Sequence, residues 1–289
     1  MTEFLIQSPA GNTVDSLPSV NVGSSANGAL ASNPWSATHT FHELVASTSE
    51  SWAGFYSVFW EINNNGIMHF AKGSSGNEKI FASVFNIAGN RSFTTYIPIP
   101  IPAGTRISAA LTSKFSYNFA AGTIEAVPAR NFKSLPNFIR MDVGPFNLTA
   151  NTTDYLTGTV VDAGGTANTK SAWTEISQTS HSGNILQGDS LPYRYKYLGW
   201  RCDLADFGTT AESPNFLVDL AYGASGSEVA FIENHPMKIK SYSSTAVPHN
   251  DIRWIPWNRP AGDRISARIQ CDNITVGERE LQFWLYGLR

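Results

Sequence analysis

The sequence predicts an all-β protein made of two tandem antiparallel β-sandwich domains, jelly-roll-like and related by internal duplication. Three observations lead to this prediction. Apolar and polar residues alternate over short segments, turn sequences rich in glycine and proline separate these segments, and two sequence blocks occur twice in the same order. No segment has the apolar periodicity of a three-turn amphipathic helix, so we expect strands throughout.

The composition limits the class of protein. The chain has 289 residues, of which 42% are hydrophobic, 12% aromatic and 15% charged, and its net charge is −3. So many aromatic residues can build a large core, which excludes a disordered chain, and a coiled coil would be richer in charge. The slightly acidic balance provides no general basic surface, so we expect no nucleic-acid partner.

Two blocks repeat along the chain. Gly73–Glu78 (GSSGNE) recurs as Gly223–Glu228 (GASGSE), and Pro102–Ala109 (PAGTRISA) recurs as Pro260–Ala267 (PAGDRISA). The spacing grows from 150 residues for the first block to 158 for the second, so the order is kept while the loops differ in length. Such a pattern is typical of two copies of one fold.

Weaker matches extend the repeat and set the domain boundaries. The segment FHEL at 41–44 corresponds to WTEI at 173–176. We predict an N-terminal arm at 1–14, a first β-sandwich at 15–145, a polar linker at 146–153 and a second β-sandwich at 154–289.

Period-two alternation identifies individual strands and their inward faces. The clearest cases lie in the second copy, and the residues expected to face inward are Ile265, Ala267, Ile269, Leu281, Phe283 and Leu285. Before the RISA strand of each copy, Gly104 and Gly262 are expected at a turn position that needs positive φ.

Each copy also contains one glutamate after its glycine-rich turn and one arginine at the start of its RISA strand. We predict structural ion pairs between Glu78 and Arg106 and between Glu228 and Arg264. The alternative is that these arginines face an anionic ligand. Ser75 and Ser225 lie in the glycine-rich turns but lack the strand–turn–helix setting of a nucleophile elbow, so we assign no catalytic residue.

Aromatic residues supply the candidate ligand or partner contacts. Tyr193 and Tyr195 alternate with basic residues, and Trp254 and Trp257 precede the second PAG turn, where the first copy has Ile-Pro-Ile-Pro. Flat rings of this kind stack on sugars or anchor protein interfaces. Packing inside the core is the alternative, and an extended backbone would expose at most one of the two tryptophans.

Metal, cofactor and membrane sites are not predicted. The sequence has no CxxC spacing or Cys/His cluster, and Cys202 and Cys271 are either reduced buried thiols or partners in a disulfide. The first residues lack the basic and apolar regions of a signal peptide, and no apolar run reaches about 20 residues, so we expect neither export by a signal peptide nor membrane insertion.

The pairing of GxSGxE with a downstream PAGxRISA strand resembles a group of tailed-bacteriophage virion structural proteins. The matching blocks are 73–78 with 101–109 and 223–228 with 259–267. The resemblance implies a non-enzymatic component of an assembled particle and carries over no catalytic or binding residue.

The expected function is therefore that of a virion surface structural protein: a capsid decoration, head spike or tail component assembled in the host cytoplasm. Expected partners are other virion proteins and further copies of the same chain, since symmetric homo-oligomers are the usual form of such parts. A host surface glycan stays open as a partner in attachment. The alternatives are a carbohydrate-binding adhesin module and a polysaccharide-degrading enzyme, whose paired carboxylates the sequence does not exclude.

Overall fold

A computed structural model describes residues 15–16, 20–22, 40–62, 66–86, 93–113, 120–135, 137–144, 158–177, 191, 193–204, 214–238 and 252–289. The predicted arm at 1–14 and linker at 146–153 lie outside these residues. The chain divides into two compact units, unit 1 with Met1–Asp142 and Leu288–Arg289, and unit 2 with Val143–Gly287. The division falls three residues before the predicted end of the first copy at 145.

Strands make up more than half of the described residues, whose one short helical element is a 3-10 turn at Ala129–Asn131. The first ten strands are β1 (Asp15–Ser16), β2 (Val20–Val22), β3 (His42–Val45), β4 (Trp52–Ile62), β5 (Gly66–Lys72), β6 (Lys79–Asn86), β7 (Phe93–Ile97), β8 (Ile107–Ser113), β9 (Ala120–Pro128) and β10 (Met141–Gly144). The others are β11 (Thr159–Asp162), β12 (Thr174–Glu175), β13 (Tyr197–Leu204), β14 (Asn215–Tyr222), β15 (Val229–Lys238), β16 (Arg253–Pro256), β17 (Ile265–Cys271) and β18 (Glu280–Leu288).

Unit 1 contains two sheets. One has the order β1-β9-β4-β7, with β2 also pairing with β9, and the other has the order β10-β6-β5-β8-β3. The buried ring of Phe55 on β4 meets the rings of Phe70 and Phe81 edge-on, with centroids 5.1 and 6.1 Å apart. These contacts join the two sheets into a sandwich.

Unit 2 is built in the same way. Its sheets have the orders β16-β13-β18, with β11 also on β18, and β12-β17-β14-β15. All six residues predicted to face inward belong to its buried core, which confirms the alternation argument: Ile265, Ala267, Ile269, Leu281, Phe283 and Leu285. Trp200 on β13 stacks on Phe283 of β18 with centroids 6.3 Å apart.

One sheet of each unit has the same strand order and register. The order β3-β8-β5-β6 of unit 1 corresponds to β12-β17-β14-β15 of unit 2. Glu43 pairs with Ser108 across β3 and β8, just as Glu175 pairs with Ser266 across β12 and β17. The all-β class is thereby confirmed; the registers of β8 with β3 and β5, and of β17 with β12 and β14, are antiparallel, whereas that of β10 with β6 is parallel.

Both cysteines are buried and free, so the disulfide alternative is wrong. The Sγ atom of Cys202 lies 3.4 Å from the Sδ atom of Met237, inside the core of unit 2. Burial raises the pKa of the Cys202 thiol to about 12, and the thiol therefore stays protonated and unreactive at neutral pH.

Close packing against glycine gives the first testable prediction. A Cβ atom at Gly287 on β18 would lie 2.3 Å from the ring of Tyr195, which is itself buried, so the ring cannot move aside freely. We expect Gly287→Ala to lower the free energy of unfolding by about 2 kcal/mol through overpacking, measured by urea denaturation.

Gly165→Ala is the matched control, because the nearest atom to its added Cβ is a flexible arginine nitrogen 3.8 Å away. Equal stability of the two variants would contradict the packing at β18.

Candidate functional site

The two repeated blocks meet in space within each unit. The glycine-rich turn follows β5 or β14, and the PAG turn precedes β8 or β17, which is the antiparallel neighbour of that strand. The end of one strand therefore lies beside the start of the next. An arginine from the PAG block bridges the two turns in both units, and we call each arrangement an arginine clasp: Arg106 with Glu43, Glu78 and Gly73, and Arg264 with Glu175, Glu228 and Gly223.

The clasp of unit 1 uses two nitrogens of Arg106. Nε donates to Oε2 of Glu43 at 2.7 Å, and Nη1 donates to Oε1 of Glu78 at 3.0 Å and to the carbonyl oxygen of Gly73 at 3.0 Å. Because Glu43 lies on β3, the guanidinium connects three chain segments that are distant in sequence.

The clasp of unit 2 has the same geometry. Nε of Arg264 donates to Oε2 of Glu175 at 2.7 Å, and Nη1 donates to Oε1 of Glu228 at 3.1 Å and to the carbonyl oxygen of Gly223 at 3.4 Å. Both arginine side chains are 18% exposed, and the two glutamates after the glycine-rich turns are 8% and 7% exposed.

The structure thus brings together both predicted pairs, Glu78 with Arg106 and Glu228 with Arg264. Sequence reasoning missed the second carboxylate of each clasp, Glu43 or Glu175. The repeat did indicate these two glutamates, because they occupy the same place in the matched segments FHEL and WTEI.

Glycine conformations complete the clasp. Gly104 and Gly262 have φ values of 77° and 101°, which confirms the predicted positive φ before each RISA strand. Gly73 and Gly223, whose carbonyls accept from the arginines, have φ values of 125° and 115°, and a Cβ there would meet backbone oxygen at 2.6 and 2.9 Å.

The charges in the clasps stabilise one another. Burial opposes ionisation of Glu78 and Glu228, but hydrogen bonds from their own backbone N–H groups and from the arginines outweigh it, and the pKa of each carboxyl lies below its usual 4.5. The hydrogen bond to Glu43 raises the pKa of Arg106. Burial opposes the charge of Arg264, but its bonds to Glu175 and Glu228 still raise its pKa. The clasp arginines are satisfied within the fold.

A further ion network lies in unit 2 on the same sheet. The carboxylate of Asp219 on β14 is completely buried and accepts from Nζ of Lys170 at 2.6 Å and Nε of Arg268 at 2.7 Å. The backbone N–H of Asn234 donates to its other oxygen at 2.7 Å. Burial alone would raise the pKa of Asp219, but these donors together lower it. The guanidinium of Arg268 also lies over the ring of Trp173, 4.4 Å from its centroid.

Two of the four aromatic residues predicted to contact a ligand or partner are buried, so the prediction is wrong for them. Tyr195 and Trp257 are 1% and 4% exposed and belong to the core of unit 2, so their rings do not face a ligand. The ring of Trp257 packs edge-on against that of Phe231, with ring centroids 5.1 Å apart.

The other two candidate aromatics lie nearer the surface. Tyr193 is 44% exposed, and its ring rests edge-on against Tyr195 at 6.3 Å. Trp254 is half-buried between Gly199 and the ring of Tyr286, 6.2 Å away. Among the four predicted aromatics, Tyr193 is the one whose side chain is substantially exposed.

The described ranges hold neither a metal cluster nor a membrane-spanning helix. Within them, no group of three histidine, cysteine, aspartate or glutamate side chains is placed to hold a metal ion. The same ranges contain no helix of the length and apolarity needed to cross a bilayer.

Comparison with known proteins gives distant likenesses. No family model and no curated protein matches this chain. Among solved structures it is similar to a Paenibacillus xanthan lyase (13% identity, 96% of this chain, 25% of the lyase, TM-score 0.24) and to the PBSX exported protein XepA (13% identity, 90% and 88% covered, TM-score 0.20). A third is the CBM22-1–CBM22-2 tandem domain of Paenibacillus barcinonensis Xyn10C (9% identity, 87% and 82% covered, TM-score 0.21). The chain spans about a quarter of the lyase, and these similarities assign neither a family nor an activity.

The clasp gives a stability prediction. We expect Arg264→Ala to lower the melting temperature by roughly 5 °C. Two carboxylates and a carbonyl then lose their shared hydrogen-bond donor at a site that is largely shielded from solvent. Arg264→Lys is expected to recover only part of this loss, because one ammonium group cannot reproduce the planar fork. Differential scanning calorimetry provides the measurement.

The control for this experiment is Arg130→Ala, which breaks the ion pair with Glu50 at a side chain that is 61% exposed. Solvent screens that pair, so its removal should shift the melting temperature by about 1 °C or less. Equal losses in the two variants would mean that the clasp is no more than an ordinary surface pair.

A pH prediction follows from the lowered pKa of Glu228. A carboxyl whose pKa is lower in the folded state stabilises the fold above its unfolded value, near 4.5, and loses this contribution as the pH falls through its folded pKa. The difference in melting temperature between the wild-type chain and Glu228→Gln should therefore be largest at neutral pH and shrink below 4.5. A difference in melting temperature that grows on acidification would contradict the lowered pKa of Glu228 in the folded state.

Proposed function

We propose that this chain is a structural protein of a bacteriophage virion surface: a capsid decoration, head spike or tail component. The observation that carries the proposal is the position of the blocks that resemble phage virion proteins. In both units these blocks form the arginine clasp, which holds one end of a sheet together. The resemblance therefore concerns the framework of the fold, which is the part that a scaffolding role requires.

We also infer that the two units arose by internal duplication. Support comes from the shared strand order β3-β8-β5-β6 and β12-β17-β14-β15, the matching register, and the two clasps with the same donor and acceptor atoms. Two linked copies of a rigid sandwich suit a particle component, because one copy can dock while the other projects.

Several ionised carboxylates hold segments of the fold together, as a scaffolding role requires. Among the described carboxyl groups, those of Glu78, Asp162, Asp219, Glu228 and Asp272 have lowered pKa values, each with hydrogen-bond donors that hold the ionised form. Ionised carboxylates of this kind accept bonds that connect strands. We assign these five carboxylates a structural role, and the proposal includes no enzymatic activity.

Virus particles provide the direct test. An antibody raised against the protein should label purified particles at regular positions in electron microscopy, and mass spectrometry of those particles should detect the chain alongside the capsid or tail proteins. Labelling confined to one part of the particle would also identify head, neck or tail. Particles that lack the protein after purification would contradict the proposal.

A second candidate function, carbohydrate binding, rests on one side chain. Tyr193 is 44% exposed, and its ring packs edge-to-face against that of Tyr195. The neighbouring Arg194 and Lys196 are exposed as well. An exposed, positioned ring beside hydrogen-bond donors is the usual platform for a sugar. This function is compatible with the first, as host attachment by a virion protein.

A glycan array tests this second function. Tyr193→Ala should abolish any signal that the wild-type protein gives, because the stacking ring is lost. Ile274→Ala is the control, since it removes an aliphatic side chain of the same unit that is 54% exposed. A signal that survives Tyr193→Ala, or no signal from the wild-type protein, would exclude Tyr193 as a sugar platform.

A further inference from the structure

Two tyrosines and a glutamate stand side by side on one sheet of unit 1, on the face turned away from the core. Phe55 of β4 faces the core, so the next residue, Tyr56, faces the other way. Tyr56 is paired with Tyr96 of β7 on one side and with Glu125 of β9 on the other. Directly paired side chains share a face, and all three are partly exposed. We call them the tyrosine–glutamate row.

The two rings of the row are held in place. Their centroids are 5.0 Å apart and their planes are tilted by 42°. The hydroxyl end of Tyr96 lies close over Gly54, where an added Cβ atom would be 2.8 Å from the hydroxyl oxygen. Burial raises the pKa of Tyr96 to about 12, and burial together with the charge of Glu125 raises the pKa of Tyr56. Both hydroxyls are therefore protonated at neutral pH, and Glu125 carries the charge of the row.

The carboxylate of Glu125 has no counter-charge among the described residues. None of their ion pairs or hydrogen bonds includes it, and none of their cationic side chains lies over the ring of Tyr56 or Tyr96. Other glutamates of the same unit, such as Glu43 and Glu78, pair with an arginine. A negative charge beside two electron-rich ring faces attracts a cation, and the described part of unit 1 does not supply one.

Unit 2 shows how such a set of groups is filled. The guanidinium of Arg259 bonds to the carboxylate of Asp263 and lies over the ring of Tyr222, 3.6 Å from its centroid. The ion network of Asp219 has the same arrangement, with the guanidinium of Arg268 over a tryptophan ring at 4.4 Å. In this chain, a carboxylate beside an aromatic ring thus holds an arginine.

The tyrosine–glutamate row is particular to unit 1. Tyr96 lies six residues before Pro102 of the first PAG turn, and Trp254 lies six residues before Pro260 of the second. Trp254 is paired with Gly199, which carries no ring. The described residues of unit 2 thus have no matching ring pair at that place. The row is therefore not a part of the repeated framework.

We propose that the tyrosine–glutamate row binds the guanidinium group of an arginine side chain from a different protein. The carboxylate of Glu125 accepts hydrogen bonds from the guanidinium, and a tyrosine ring packs on its flat face. Arginine suits this site better than lysine because its planar group makes both contacts at once. Three side chains on a sheet face can hold one side chain of a larger partner, whereas small molecules bind in concave pockets.

The partner is a different protein because most of the described arginines of this chain already pair with its own carboxylates. The inference goes beyond the proposed function, since it concerns what the purified chain recognises.

Titration of the full chain with short peptides tests the site. The probe is acetyl-Gly-Arg-Gly-amide, and the two control peptides have lysine or citrulline in place of arginine. Citrulline has the same shape as arginine but carries no charge. Binding is followed by NMR of protein with isotope-labelled tyrosine rings. We expect the arginine peptide to bind roughly tenfold more tightly than the citrulline peptide, and also more tightly than the lysine peptide.

Variants separate the contribution of the charge from that of the ring. Glu125→Gln and Tyr56→Leu should each weaken binding of the arginine peptide roughly tenfold, whereas Tyr56→Phe keeps a ring and should bind like the wild-type chain. Glu233→Gln is the matched control, because it removes the same charge from an exposed glutamate of unit 2 and should leave the affinity unchanged. Circular dichroism checks that each variant is folded.

Several results would overturn the proposal: equal binding of the arginine peptide and either control peptide, wild-type affinity in Glu125→Gln, equal weakening by Glu233→Gln, or no response of the tyrosine rings. Light scattering covers one more case. Self-association of the wild-type chain that Glu125→Gln abolishes would place an arginine of a second copy in the site, which contradicts a different protein as the partner. None of these results bears on labelling of virus particles, so the two proposals fail separately.

Discussion

A single guanidinium shared by two carboxylates and a carbonyl organises each unit. Arg106 and Arg264 both hold a glutamate of the neighbouring strand, a glutamate after the glycine-rich turn and the carbonyl that opens that turn. Arginine suits this position because its planar fork presents several donors in fixed directions, whereas lysine offers one compact charge. The clasp thereby fixes the relative position of three strands at one end of the sheet.

The two units share the arginine clasp, but the buried polar groups on the adjoining strand differ. Next to the common clasp, unit 1 has His69, whose Nδ1 lies 2.8 Å from the hydroxyl of Ser83. At the corresponding position unit 2 has Asp219, held by Lys170 and Arg268. A histidine–serine pair and an ion network thus occupy one place in the two sheets. Because buried polar groups need only to be satisfied, either solution keeps the fold intact.

The two corresponding sheets differ at one edge. In unit 1 the strand β6 is paired on both sides, which removes an edge from that sheet. In unit 2 the corresponding strand β15 pairs, within the described residues, with β14 alone, and Asn234 with a φ of 53° and the proline at 236 make its second half a poor partner for a further strand.

Local rules were enough to predict the strands, the turn glycines and one ion pair of each clasp from the amino-acid sequence. Alternation places Ile265 and Leu281 inward, and a turn before a strand requires positive φ at Gly262. The repeat supplied the pairing of Glu228 with Arg264, because two copies of one motif imply the same partner in each.

The remaining features depend on contacts between segments that only the folded chain brings together. Whether an aromatic ring lies in the core or at the surface depends on which segments pack against it, and this packing buries Tyr195 and Trp257 while Tyr193 stays exposed. The contact of Arg264 with Glu175, the second carboxylate of its clasp, depends on which strands become neighbours. The same is true of the cysteines, which are free. Such neighbours are far apart in sequence, so the repeat marks Glu175 as a corresponding position but does not show that it contacts Arg264.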